Sequence, residues 1–83
     1  MRSVESVSAA IGVSLRRCTS SNILAYGYKA GDLWILFKGY KLYKYPGITK
    51  SQFVELDSFS SKGRWVNKNL VRAKAKCEAF EVK

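Results

Sequence analysis

Five consecutive apolar residues, Leu33-Trp34-Ile35-Leu36-Phe37, stand between two turn-forming stretches, Lys29-Ala30-Gly31-Asp32 and Lys38-Gly39-Tyr40. A short aromatic and aliphatic run bounded by glycine turns reads as a buried β-strand. Its alternate residues point to opposite faces of a sheet. Leu33, Ile35 and Phe37 therefore face one core, and Trp34 and Leu36 face the other side, which must be at least partly covered. The run is far shorter than the ~20 apolar residues of a membrane-spanning helix.

The flanking segments extend this strand into an antiparallel meander. Ile23 to Tyr28 is short, partly alternating and aromatic, and follows the turn Thr19-Ser20-Ser21-Asn22. On the other side, Lys41 to Tyr45 forms the next strand. Lys41, Tyr43 and Tyr45 share one face, Leu42 and Lys44 the other. Pro46-Gly47 stops it, because proline cannot donate to a ladder.

The pattern then changes period. Thr49 with Gln52 makes a capping box, and Phe53 and Leu56, with Val54, give a short amphipathic helix over 50–59. After a loop over 58–63, Val66, Leu70, Ala73 and Cys77 predict a second helix over 65–76. Its opposite face carries Lys68, Arg72 and Lys76. Residues 79–82 suggest a short final strand. At the other end, Val7, Ala9, Ile11, Val13 and Leu15 alternate, which suggests a strand over 7–16. Val4, Val7 and Ile11 also fit helical spacing. The expected fold is α+β: a small antiparallel meander of three to four strands packed with two short C-terminal helices. At 83 residues it is one domain.

Charge and residue usage narrow the function. Fifteen Lys and Arg oppose six Asp and Glu, a net charge of +9 spread along the chain. Such a charge attracts phosphate polymers and equally suits an acidic protein partner. There is no histidine, and the two cysteines, Cys18 and Cys77, do not make a closed zinc site. They read as small packing residues of a reduced, intracellular chain whose N-terminus lacks the apolar stretch of a signal peptide. Glu55 and Asp57 lie two apart on a helix and point apart. Cys18 beside Arg17 is a candidate for a lowered thiol pKa but has no histidine base. The expectation is a protein without catalytic residues, metal or cofactor.

Two blocks combine rings, cations and turn formers: Tyr43-Lys44-Tyr45-Pro46-Gly47-Ile48 and Ser60-Ser61-Lys62-Gly63-Arg64-Trp65-Val66-Asn67. Tyrosines on an open strand face, edged by cations, form a stacking platform for single strands. The same rings can instead pack under the helix over 50–59. Lys62 and Arg64 flank a glycine before a helix, an arrangement suited to a phosphate, although Trp65 there can equally anchor the core. The residues read as nucleic-acid-binding are Lys41, Tyr43, Lys44, Tyr45, Lys62, Arg64, Trp65, Lys68 and Arg72.

These blocks resemble the KTSC family, a small domain found at the C-terminus of some lysyl-tRNA synthetases and as short stand-alone proteins of bacteria and phages. The resemblance rests on Ser20-Ser21-Asn22, Gly27-Tyr28, the Leu33–Phe37 run, Tyr43-Lys44-Tyr45 and Ser61-Lys62-Gly63-Arg64-Trp65-Val66-Asn67, and covers roughly residues 18–72. It implies a small domain in the bacterial cytoplasm or an infected host cell, and RNA binding. The expected function is binding of single-stranded or structured RNA or DNA through charge and rings. The alternative is a protein-interaction module, docking on an acidic surface of a nucleic-acid-processing protein or on a second copy of itself. Two-faced apolar character at Trp34 and Leu36 is the feature that favours such an interface.

Overall fold

Ala30 and Gly31 both take positive φ, 52° and 82°, in the two-residue turn between the paired residues Lys29 and Asp32. Such turns match the twist of the flanking strands and set their register. A computed structural model describes residues 3–80 and shows what this turn organises. Strands β1 (Arg16–Arg17), β2 (Ile23–Lys29), β3 (Asp32–Phe37), β4 (Lys41–Tyr45) and β5 (Glu78–Phe80) form one antiparallel sheet in chain order. The expected meander is present, with five strands rather than three or four. Tyr26 lies opposite Ile35, and Ile35 opposite Tyr43, so one face carries a row of aromatic and aliphatic side chains.

That face is covered by α2 (Lys50–Ser58) and α3 (Lys62–Val66). Thr49 and Gln52 form the reciprocal capping box that their spacing predicts at the start of α2. Leu33, Ile35, Leu56, Trp65, Val66 and Leu70 are buried together beneath the helices.

The N-terminal segment departs from expectation. Residues 4–11 form a helix, α1 (Val4–Ile11), instead of a strand over 7–16; only Arg16–Arg17 is extended and paired. The physical reason is local. Ser3 and Ser6 cap the first turn reciprocally, Gly12 closes the last at φ 67°, and Val4 and Val7 share one helical face. The alternation over 7–15 has no sheet position to serve, whereas a bare apolar face does need cover. Val4 and Val7 pack on Ala25, Leu36 and Leu42, with Trp34 partly buried beside them. The domain is thus three layers, helix–sheet–helix.

Beyond α1, residues 13–15 cross β2 at close range. A Cβ on Gly27 would stand 2.7 Å from the Ser14 carbonyl oxygen and 3.0 Å from Leu15 and Val13 side-chain atoms. Gly27 is therefore required by the approach of another backbone, not by its own dihedrals.

The second C-terminal helix is shorter than the predicted 65–76. After α3 the chain widens into a π-helical turn over Asn67–Val71, with Arg72 N–H donating to Asn67 O at 2.8 Å and Ala75 N–H to Leu70 O at 2.9 Å. It then leaves the helix at Lys74, φ 53°. Val66 and Leu70 face inward as expected, but Ala73 and Cys77 are exposed because the wider turn breaks the 3.6-residue register. The predicted final strand is seen as β5; Glu81 and Val82 lie outside the described residues.

Candidate nucleic-acid interface

The nine residues expected to bind nucleic acid divide into two groups. Four are engaged inside the domain. Trp65 is 2% exposed and donates its indole N–H to Glu55 Oε1 at 2.7 Å. Tyr45 is 5% exposed, and burial pushes its hydroxyl pKa up to about 12, with Cys77 adding to the effect. Neither ring can stack on a base. Lys62 donates to the carbonyl oxygens of Asp57 and Phe59, closing the C-terminal end of α2. Lys44 lies on the α1 side of the sheet, over the rings of Trp34 (5.7 Å) and Phe80 (5.9 Å), and pairs with Glu78 at 3.8 Å. Each of these four residues fills a structural position.

The other five, Lys41, Tyr43, Arg64, Lys68 and Arg72, remain at the surface. Among the described residues, no ion pair uses the four cations. Tyr43 is half-buried and meets Phe37 edge-on, centroids 5.5 Å apart. These two rings line an open groove with Lys38, Lys41 and Val71. Lys76, expected to extend the cationic stripe, lies beyond the helix, so the helical face carries only Lys68 and Arg72.

Adjoining the groove is a polar cleft of about 650 Å³, lined by the Thr19 to Asn22 loop and by residues of the segment Ser60 to Asn67, which carries α3. The two recesses share Ser21 and Asn22. The sequence predicts a turn over Thr19 to Asn22 and no site there; the structure places it on the wall of the cleft. The available signal was the motif blocks Ser20-Ser21-Asn22 and Ser61 to Asn67, because their meeting forms the cleft. A Cβ on Gly63 would lie 3.1 Å from Ser20 Oγ, so the first turn of α3 closes directly onto the loop. The loop is held in turn: Ser20 Oγ accepts from the N–H groups of Asn22 and Ile23, and Lys38 N–H donates to Asn22 O at 2.8 Å.

The acids are drawn elsewhere. Glu5 accepts two hydrogen bonds from Arg17, which lower its pKa. Asp57 accepts from the Tyr26 hydroxyl and from Arg16, and its pKa is lowered by both. Glu55 holds Trp65, and Glu78 holds Lys44. No carboxylate lines either the groove or the cleft. The Cys18 thiol also departs from expectation. Burial pushes its pKa up, the charge of Lys62 offsets this only in part, and Arg17 is turned to Glu5. Trp34 and Leu36, read as a possible interface strand, are covered by α1.

A protein-family model described as the KTSC domain matches residues 19–72. Among solved structures, a crystal structure of a KTSC domain protein from Yersinia pestis is similar, with 27% identity and a TM-score of 0.73. The likeness covers 83% of this chain and 99% of that one. Among curated proteins no relative matches.

Proposed function

The chain belongs to the KTSC domain family, and on that footing we propose that it binds nucleic acid, holding a strand of RNA or DNA along the groove beside Tyr43. The observation that carries this reading is the separation of charges. The described carboxylates with partners sit on Arg17, Arg16, Trp65 and Lys44, while Lys38, Lys41 and Arg64 border a continuous acid-free groove and cleft. A surface of this kind attracts a phosphate backbone, and the half-exposed Tyr43 and Phe37 offer ring surface to an unpaired base. Lys68 and Arg72 on the neighbouring helical segment extend the cationic border.

Anisotropy titration of labelled single strands and an RNA hairpin, at two salt concentrations, tests this reading. Binding is expected to weaken steeply with salt, and Lys41→Ala is expected to reduce the salt slope by about one. No measurable affinity for any of these probes at low salt would overturn the reading.

A further inference from the structure

We propose that the polar cleft between the Thr19–Asn22 loop and the Ser60–Asn67 segment is a single-phosphate subsite of the strand path, with the Arg64 guanidinium as its cation and Ser21, Asn22, Ser60 and Asn67 as neutral donors. The inference rests on the nucleic-acid reading above and names what one part of that surface takes.

The first support is the state of the donors. Several serines elsewhere in the domain are engaged: Ser3 and Ser6 cap each other, Ser8 bonds to Val13 and Leu15, and Ser58 bonds to Val54 and Glu55. Among the described residues, no hydrogen bond engages the side chains of Ser21, Asn22, Ser60, Arg64 or Asn67. Hydroxyls, amides and a guanidinium converge on one recess without partners of their own. A phosphate, with several acceptor oxygens, can meet such a set at once, and a guanidinium binds it through two parallel N–H groups.

The second support is preorganisation. The hydroxyls that do have partners, Ser20 and Ser61, are used to shape the loops: Ser20 accepts from two backbone N–H groups, and Ser61 Oγ from Arg64 N–H at 3.4 Å. The Asn22 carbonyl is tied to Lys38 at the end of β3. Gly63 leaves the wall bare where a side chain would press on Ser20. Little ordering remains to be done when an anion enters.

The third support is position. Ser21 and Asn22 line both the cleft and the groove, so a phosphate in the cleft has its own nucleoside within reach of Tyr43 and Phe37. The cleft would thereby fix where along a strand the ring contact falls. A carboxylate-bearing peptide is the competing occupant. It offers two oxygens to the donors and nothing to the rings.

The test is amide chemical-shift mapping on the full chain with inorganic phosphate, glutamate and a nucleoside monophosphate, each at matched ionic strength. Phosphate is expected to shift Ser21, Asn22, Gly63 and Arg64 saturably, and glutamate to leave them in place. The nucleoside monophosphate is expected to shift Phe37 and Tyr43 as well. Arg64→Ala should weaken the phosphate response about tenfold or more, with Arg64→Lys intermediate because a lysine lacks the fork. Arg64 is exposed, so an unchanged spectrum elsewhere verifies that the variant is folded. Equal response to glutamate, shifts scattered over Lys50 and Lys76, or a silent cleft would each overturn the inference. Strand binding with a silent cleft defeats this inference and leaves the broader reading intact. Saturable phosphate shifts without any strand binding leave a phosphate site but defeat the broader reading, and with it the assignment of the cleft to a strand path.

Discussion

The indole N–H of Trp65 points at Glu55 Oε1 from 2.7 Å, joining α3 to α2 through one hydrogen bond beneath the sheet face. A ring that buried is a core anchor, and its polar tip needs that acceptor. Trp65→Ala should cost about 3–5 kcal/mol in urea unfolding, comparable to the whole stability of so small a domain. Glu55→Ala should cost about 1–2 kcal/mol by leaving the N–H unpaired, while Glu55→Gln keeps an acceptor and stays within about 0.5 kcal/mol. If Trp65→Ala left stability intact and lowered only affinity, the anchor assignment would be wrong.

Gly27 supplies a second stability test, at a position far from the proposed groove. An alanine there drives a methyl into the Ser14 carbonyl at 2.7 Å, and the near atom is backbone, which yields poorly. Gly27→Ala should destabilise the domain by about 1–3 kcal/mol through overpacking. Circular dichroism melts would check this, and a variant as stable as the parent would contradict the tight crossing.

Two linked groups set a pH dependence at each end of the scale. Asp57 has its pKa lowered by the Tyr26 hydroxyl and then by Arg16. Its contribution is complete above the ordinary carboxylate pKa of ~4 and is lost as pH falls through the lower folded value. Tyr26 runs the opposite way. Burial first, then Asp57, raises its pKa to about 12, so its contribution is complete below pH ~10 and fades as pH rises through the folded value. Asp57→Asn should flatten the acid limb of a stability–pH curve, and the Tyr26 phenolate absorbance should rise with a midpoint near 12.

Lys41 and Lys44 form a paired binding test, because they sit three residues apart on opposite faces of β4. Lys41 borders the groove, and Lys44 lies over Trp34 and Phe80. Lys41→Ala should weaken strand binding by about threefold to tenfold and reduce its salt dependence; Lys44→Ala should leave both nearly unchanged. Equal loss in the two variants would point to unspecific attraction by net charge.

The sheet was legible because its signals are local. The Leu33–Phe37 run lies between glycine turns, and the Thr49–Gln52 capping box marks the start of α2. The N-terminal helix was obscured because residues 7–15 alternate while Val4, Val7 and Ile11 also fit a helix. The deciding facts, the Ser3–Ser6 cap and the bare face at Leu36 and Leu42, depend on capping geometry and tertiary packing. The candidate site was half legible. Composition identified the cations and rings, and alternation set Lys41 and Lys44 on opposite faces, but only contacts show that Lys44 is engaged there and distinguish Tyr43 from Tyr45. The π-helical turn at Asn67–Val71 has no counterpart in a pattern built on 3.6 residues, so that pattern predicts Ala73 and Cys77 inward although both are exposed.

The chain-order meander also has a kinetic side. Strands β2, β3 and β4 are joined by turns of only a few residues, so their pairing closes short loops at small entropic cost. The β4–β5 ladder instead spans both C-terminal helices, from Tyr45 to Glu78. The central hairpins should therefore assemble early and β5 should join last. On the reverse path β5 opens first, withdrawing Phe80 from Trp34 and releasing Glu78 from Lys44 while the rest of the sheet stands.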